Sequence, residues 1–165
     1  MKQIVFTLML ALTLSGWGAE SKLAKGLSEE LSYAKAKGQK AVMVAVLAMN
    51  HPSYGGLSKR VKSDVLDSKE LKEFLTKAKV EVVTFEDFRI VRNDRYVNRL
   101  FWNTGNLVGI VLVDTNGKVL NKLTAFEILG MANGQPRLKG KEAMSGNDLI
   151  ELYKPLLEIE PEKSK

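Results

Sequence analysis

A run of nine uncharged residues, AVMVAVLAM, is the feature that most constrains the fold of this chain. It spans Ala41 to Met49 and contains no polar side chain. A strand that is apolar at every position is buried on both faces, as in the middle of a sheet that helices cover on both sides. We therefore predict a layered α/β protein with this strand inside the sheet.

The segments on either side of this strand have helical periodicity. Before it, residues 21–40 place apolar side chains on one helical face, and Gly38 marks the end of that helix. After it, the loop NHPSYGG leads into a helix, and DSKE resembles a capping box for a further helix, with Asp67 as the cap and Glu70 reaching back. The apolar positions of these helices are Leu23, Leu27, Leu31, Ala34, Leu57, Val61, Val65, Leu71, Phe74, Leu75 and Ala78.

The second half of the chain continues the alternation and adds a hairpin. KVEVVTF, residues 79–85, predicts a second strand, and a helix that begins near residue 93 follows it. Residues 107–114 and 118–123 predict two strands joined by a tight turn at Asn116–Gly117, where glycine supplies the left-handed backbone that such turns need.

A last helix is predicted after a loop that is rich in glycine. Ser145 is its cap, Asp148 stands three residues on, and Pro155 kinks or shortens the helix. Its predicted packing positions are Leu149, Leu152 and Leu156. Strands separated by helices call for parallel neighbours, so the whole order predicts a three-layer α/β/α sandwich: a mixed sheet with a C-terminal β-hairpin.

The first 18 residues have the pattern of an export signal. Lys2 precedes an apolar run from Ile4 to Leu14, and small residues follow. The run has about 11 residues, whereas a helix needs roughly 20 to cross a bilayer. A buried core helix is the alternative interpretation. We expect a signal peptide over 1–18, a single domain over 19–160 and a disordered tail over 161–165. The mature protein would then be periplasmic or extracellular, with no stable membrane anchor.

The net charge of +6 is modest, and the loss of Lys2 with the signal lowers it by one. No basic block is interleaved with aromatic residues, so the sequence does not predict nucleic-acid binding. A basic excess of this size is typical of a solvated surface or of a protein with an acidic partner.

The chain contains no cysteine. Its stability therefore depends on its core and not on disulfides. Thiol–disulfide exchange is excluded as well, since it requires a thiolate that attacks a disulfide sulfur.

From about Leu23 to Leu157 the sequence resembles the thioredoxin-like superfamily, in particular its secreted single-domain type. In that family a buried strand runs into W-C-x-x-C-K, and a V-x-x-S-x-E step leads to a second helix. In YGGLSKRVKSDVLDSKEL, Tyr54 lies at the tryptophan position and Lys59 at the lysine position, so that the two cysteine positions fall on Gly55 and Ser58.

The resemblance continues into the hairpin. A D-x-x-G-K match is formed by Asp114, Gly117 and Lys118, and the position of the family's cis-proline falls on Val108. A cis bond without proline costs about 2.5–4 kcal/mol, so we predict a trans bond there. The carboxylate that family members often keep on the first buried strand has no counterpart in VAVLAM.

The resemblance thus implies a thioredoxin-like protein without redox activity that binds a peptide or protein partner. Active relatives hold extended peptides beside their dithiol, and strand addition is a general way to do so. The predicted binding surface is the former active-site rim, which comprises Tyr54, Gly55, Gly56, Ser58, Asn106, Leu107 and Val108.

Two other function classes are considered from the residues. Ser58 at a helix start could act as a nucleophile with His51 as its base, although no G-x-S-x-G elbow is present and serine at a helix start is most often a cap. A structural assembly subunit is the other alternative, and the sequence does not predict the oligomeric state.

No metal or cofactor site is predicted. His51 is the only histidine, and without cysteines it lacks the companions that a zinc site needs. The GLSKR stretch also lacks the spacing of a phosphate-binding loop.

Two further features carry open interpretations. Arg92, Arg95 and Arg99 recur on one helical face just after Arg89, and this face is either solvated or contacts an acidic partner. The connection over 124–144 is longer than is usual in compact domains, so it is either functional or mobile. We expect it to cover or form the groove near Tyr54 and Val108.

Overall fold

The computed structural model of the chain describes residues 27–87, 89, 108–131 and 143–157. In chain order its elements are α1 (Leu27–Ala36), β1 (Ala41–Val46), α2 (Gly55–Val61), a π-helical segment (Lys62–Leu66), α3 (Lys69–Lys77), β2 (Val80–Phe85), β3 (Gly109–Asp114), β4 (Val119–Thr124), α4 (Ala125–Ile128), α5 (Gly146–Tyr153) and a 3₁₀ turn (Pro155–Leu157).

The four strands form one mixed sheet in the order β2-β1-β3-β4. β1 pairs with β2 in parallel and with β3 antiparallel, and β3 pairs with β4 as the predicted hairpin. Ala41 lies opposite Val80 and Asp114 at one end of the sheet. The predicted α/β class, the mixed sheet and the C-terminal hairpin are confirmed.

β1 lies inside the sheet and is buried along its whole length, as its apolar sequence predicts. Its side chains alternate between two cores because successive residues of a strand point to opposite faces. Met43 packs in the larger core, on the side of α2, α3 and α5, whereas Val42 and Val44 pack in the smaller core with α1. The α1 contacts are made by Leu27, Leu31 and Ala34, which are three of the four positions predicted for that helical face.

Two turns have the backbone that their glycines predict. Gly38 follows α1 with φ of 71°, and Gly117 lies in the hairpin with φ of 87°. Both values fall in the left-handed region, which glycine enters without steric cost.

The helix ends confirm one predicted cap and correct another. Ser145 and Asp148 form a capping box at α5, in which donation by the Ser145 backbone N–H lowers the pKa of the Asp148 carboxyl. At α3 the cap is Ser68 and not Asp67, because the Ser68 hydroxyl accepts the Leu71 N–H and lies 2.9 Å from a carboxylate oxygen of Glu70. Asp67 instead pairs with Lys72 at 3.2 Å.

The end of α5 also differs in part from the prediction. The helix ends at Tyr153 and passes into the 3₁₀ turn at Pro155, so the proline shortens it as expected. Leu149 is buried as predicted, but Leu156 is exposed, and Tyr153 and Leu157 fill the core instead. The 3₁₀ turn rotates the chain away from the helical register on which the prediction was based.

Part of the predicted 124–144 connection is helical. α4 begins directly after β4 and is capped by Thr124 and Glu127, which form a second capping box. Sequence patterns do not reveal so short a helix, because four residues complete only about one turn.

Several predictions concern residues outside those described: the signal peptide over 1–18, the helix near residue 93 with Arg92, Arg95 and Arg99, the middle of the 124–144 connection, and the tail over 161–165. Among the helices that the structure describes, none combines the length and apolarity that a membrane crossing requires.

Candidate functional site

The predicted rim lies at one end of the sheet, here called the site end. β1 and β2 finish at this end and β3 starts there, since Val46 lies opposite both Phe85 and Gly109. The loop of residues 47–54 leaves β1 at the site end and delivers the chain to the first turn of α2. Val108 immediately precedes β3, so it lies at the same end of the sheet as the 47–54 loop.

Backbone hydrogen bonds hold the 47–54 loop in place. The N–H of Leu47 donates to the Phe85 carbonyl at 2.7 Å, and that of Met49 donates to the Glu86 carbonyl at 3.2 Å. The N–H of Gly55 then donates to the His51 carbonyl at 2.8 Å. The loop is therefore tied both to the end of β2 and to the start of α2.

The two glycines at the start of α2 have different surroundings. Gly55 is buried, and a Cβ atom there would lie 2.7 Å from the Met49 carbonyl oxygen. Gly56 is exposed, and a Cβ atom there would have no neighbour within 4 Å. Gly55 lets the loop pack against the helix, whereas Gly56 leaves open space at the surface.

Ser58 is completely buried, with 0% of its surface exposed. Its hydroxyl and its backbone N–H both donate to the Tyr54 carbonyl at 2.9 Å. The hydroxyl therefore satisfies the backbone of the first turn of α2, a structural role common for serine in helices. A substrate would have no access to this oxygen in the described conformation.

His51 and Tyr54 form the aromatic part of the site. Their ring centroids lie 4.9 Å apart at an interplanar angle of 50°, and both side chains are half-buried. Nδ1 of His51 accepts the backbone N–H of Ser53 at 3.2 Å, which orients the imidazole ring. Pro52 and Ser53 are exposed beside this pair.

Val108 is buried, with 1% of its surface exposed, and belongs to the larger core. Its carbonyl accepts the N–H of Ala125, the first residue of α4, at 2.9 Å. The described residues contain no cis peptide bond. The bond into Val108 also involves Leu107, which lies outside the described residues together with Asn106.

The structure thus divides the predicted rim into two groups. Gly55, Ser58 and Val108 are buried, so a partner cannot reach them in the described conformation. Gly55 and Ser58 position the loop and the first turn of α2, and Val108 is bonded to the start of α4. Tyr54 and Gly56 are accessible. The neighbouring His51, Pro52 and Ser53 extend this accessible surface, and the prediction did not include them in the rim. The proline in NHPSYGG was the available signal, since proline and serine favour exposed turns.

Exposed charged groups lie between the π-helical segment and the end of β2. Lys62, the first residue of the π-helical segment, lies 3.9 Å from Asp67 and 4.0 Å from Glu86. Glu86 follows β2 directly and also accepts the Met49 N–H through its carbonyl.

Within the described residues, no three potential ligands among His, Asp and Glu cluster as a metal site would require.

Comparisons with known proteins identify the fold. No family model and no curated protein matches the sequence. Among solved structures the chain is similar to "DsbH Oxidoreductase", with a TM-score of 0.55 and 13% identity over 82% of this chain and 83% of the other. It is also similar to the Neisseria meningitidis DsbD C-terminal domain in its oxidised and reduced forms, with a TM-score of 0.46 and 14% identity in both. Those matches cover 78% of this chain and 91% and 92% of the other chains.

At this level of identity the likeness to the first of these structures concerns the fold alone. Together with the sequence of the strands and helices described above, it confirms the predicted architecture. The chain adopts the thioredoxin-like fold and carries neither a C-x-x-C dithiol nor a proline at position 108.

Proposed function

We propose that this protein is exported and binds an extended segment of a peptide or protein partner at the site end of its sheet, without redox chemistry. A thioredoxin-like fold that lacks sulfur at the dithiol positions can hold a polypeptide but cannot exchange disulfides with it. The observation that carries the proposal is a loop that backbone hydrogen bonds tie to β2 and α2 and that presents two half-buried aromatic rings at the site end.

The contact surface in this proposal consists of His51, Pro52, Ser53, Tyr54 and Gly56. An aromatic ring that is only half-buried offers apolar area at low entropic cost, because Tyr has few rotatable bonds. Gly56 adds a position where a partner's backbone can approach closely, since no side chain of its own is in the way. Extended polypeptides are commonly held by this combination of side-chain and backbone contacts.

The hydrolase alternative receives no support from the geometry of Ser58. A nucleophilic serine must present its oxygen to the substrate and give its proton to a base. Ser58 is buried and donates its hydroxyl to a backbone carbonyl. The binding role is therefore preferred to hydrolysis.

Site-specific photo-cross-linking tests the binding proposal. A photoreactive amino acid at Ser53 should form adducts with a polypeptide in periplasmic extract, and Tyr54→Ala in the same protein should strongly reduce them. The control is the same photoreactive residue at Val119, which is 43% exposed at the opposite end of the sheet. Equal adducts from both positions, or adducts at 53 that persist in Tyr54→Ala, would refute binding at this site.

Export is tested separately by cell fractionation. The pattern of residues 1–18 supports a cleaved signal, so the protein recovered from the periplasm or medium should begin near Ala19. Recovery of the protein in the cytoplasm with Met1 or Lys2 at its start would contradict export and leave the binding proposal intact.

A further inference from the structure

The end of the sheet opposite the site end carries six exposed lysines, here called the lysine base. They belong to separate segments: the end of α1 and its following turn, the residues before β1, β2 and β4, and the end of α3. The lysine base consists of Lys35, Lys37, Lys40, Lys77, Lys79 and Lys118.

The strand register brings these lysines together. β1 and β2 run in parallel and start at this end, where Ala41 lies opposite Val80. Lys40 and Lys79 stand just before those residues, and the Lys40 N–H donates to the Lys79 carbonyl at 2.7 Å. The hairpin turn lies at the same end, because Lys35 Nζ donates to the Asn116 side-chain oxygen at 3.0 Å.

Carboxylates near the lysine base offset only part of its charge: Glu81 and Glu30 lie close enough to Lys37 to help raise the pKa of its amine, after the larger effect of Tyr33. Asp114 accepts the backbone N–H groups of Asn116 and Lys118, and Glu81 accepts from the Gln39 side chain. Within the described part of the chain none of the six lysines forms an ion pair. Lys37 instead lies 4.1 Å from the ring centroid of Tyr33. The lysine base is thus a positive surface whose complement would be a run of carboxylates.

A run of carboxylates follows directly after Leu157, the last residue that the structure describes. Leu157 is buried in the larger core, and its carbonyl accepts from Lys40 Nζ at 3.5 Å. The next residues read EIEPE, from Glu158 to Glu162. Three glutamates therefore begin within the reach of the lysine base.

We propose that residues 158–162 of the chain's own C-terminal segment dock on the lysine base. Five extended residues span about 17 Å. They start at Leu157, whose carbonyl accepts from Lys40 Nζ, and Lys40 is bonded through its backbone to Lys79. In an extended chain Glu158, Glu160 and Glu162 project to the same side, so all three carboxylates can face the lysines together.

Charge and tethering both favour this occupant over a separate acidic polypeptide. The segment is joined to the domain at Leu157, so its effective concentration at the lysine base is high without a bimolecular step. Ion pairs on such an exposed surface are individually weak and are screened by salt. The docking is therefore reversible and weakens as the ionic strength rises.

Zero-length carbodiimide cross-linking of the full chain tests this inference, because the reagent joins a carboxylate directly to an amine in contact with it. Peptide mapping at low salt should find links from Glu158, Glu160 or Glu162 to Lys40, Lys77 or Lys79. High salt should reduce these links several-fold. The combined variant E158Q/E160Q/E162Q should abolish them.

Two lysines away from the lysine base serve as the matched control. Lys59 in α2 and Lys69 in α3 are exposed and should form few links with the segment. Equal linkage to Lys59 or Lys69 would overturn the proposal. Links that join a light chain to an isotope-labelled chain in a mixed sample would overturn it too, since they would identify a second copy as the occupant.

A second readout does not depend on cross-linking. In the chain truncated after Leu157, the backbone amide resonances of Lys79 and Val80 should shift relative to the full chain, and those of Gly56 at the site end should not. A synthetic LEIEPEKSK peptide should restore the shifts, whereas LQIQPQKSK should not. Unchanged Lys79 and Val80 resonances on truncation would contradict the docking.

Discussion

A methyl group on Gly55 would lie 2.7 Å from the carbonyl oxygen of Met49. Real side chains do not approach a backbone oxygen this closely, so any residue other than glycine must push the loop away from α2. The 47–54 loop is therefore packed tightly against the first residue of α2.

The two neighbouring glycines of α2 provide a matched pair of variants. Gly55→Ala should lower the free energy of unfolding by about 1–3 kcal/mol, as overpacking does in a tight site. Gly56→Ala should leave it unchanged or raise it by about 0.5–1 kcal/mol, since alanine is the better helix former and the space is open. Urea unfolding of both variants measures the difference, and equal stabilities would contradict the close packing of Gly55.

Ser58 should be inert towards serine-directed reagents. Its hydroxyl is buried and donates to the Tyr54 carbonyl at 2.9 Å, so a fluorophosphonate probe should not label the native protein at this position. Intact-mass analysis, with Ser58→Ala as the control, measures the labelling. A stoichiometric adduct that disappears in Ser58→Ala would revive the hydrolase alternative.

Ser68, and not the adjacent Asp67, should account for the cap of α3. Ser68→Ala removes the acceptor of the Leu71 N–H and should destabilise the protein by about 1 kcal/mol. Asp67→Ala removes only exposed ion pairs with Lys62 and Lys72, which contribute less. Thermal unfolding of the two variants separates the roles, and a larger loss in Asp67→Ala would return the cap to Asp67.

Tyr153 should destabilise the protein through its hydroxyl. This group is buried and has no hydrogen-bond partner within the part of the chain that the structure describes. An unsatisfied buried polar group costs about 1–3 kcal/mol, so Tyr153→Phe should raise the free energy of unfolding by about 1 kcal/mol. Tyr33→Phe is the control, because Tyr33 is 51% exposed. A clear loss of stability in Tyr153→Phe would show that the hydroxyl has a partner.

Tyr153 should also make the free energy of unfolding depend on pH in the alkaline range. Burial raises the pKa of Tyr153 above its usual value of about 10, because the charged phenolate is poorly solvated in the core. Ionisation of Tyr153 therefore does not affect stability below about pH 10, where the phenol is neutral in the folded and in the unfolded chain. The free energy of unfolding falls as the pH rises from there towards the raised pKa, since only the unfolded chain releases the proton. Unfolding curves at pH 8 and 11 should show that Tyr153→Phe loses less stability than the parent protein, and equal losses would argue against the burial.

The layered fold could be predicted because its signals are local. AVMVAVLAM predicted β1 and its position inside the sheet, since burial on both faces leaves no polar position in the strand. Asn116–Gly117 and Ser145 marked the hairpin and the start of α5, since turns and caps require particular residues at particular backbone angles.

The cap of α3 shows where local signals stop being sufficient. Asp67 and Ser68 are both good capping residues. Asp67 still has the helical backbone that ends the π-helical segment, whereas Ser68 has the non-helical backbone that a cap requires. Leu156 is a similar case, because the 3₁₀ turn after Pro155 changes which leucine faces the core.

The sequence alone determined that this chain has no thiol for disulfide exchange and that a central strand must be covered on both sides. Only the tertiary structure decided that Ser58 and Val108 are buried while Tyr54 and Gly56 remain accessible, and that six lysines from distant segments meet at one end of the sheet. The reason is physical: apolarity and turn geometry are properties of neighbouring residues. Exposure and the convergence of charges instead depend on which segments the strand register brings side by side.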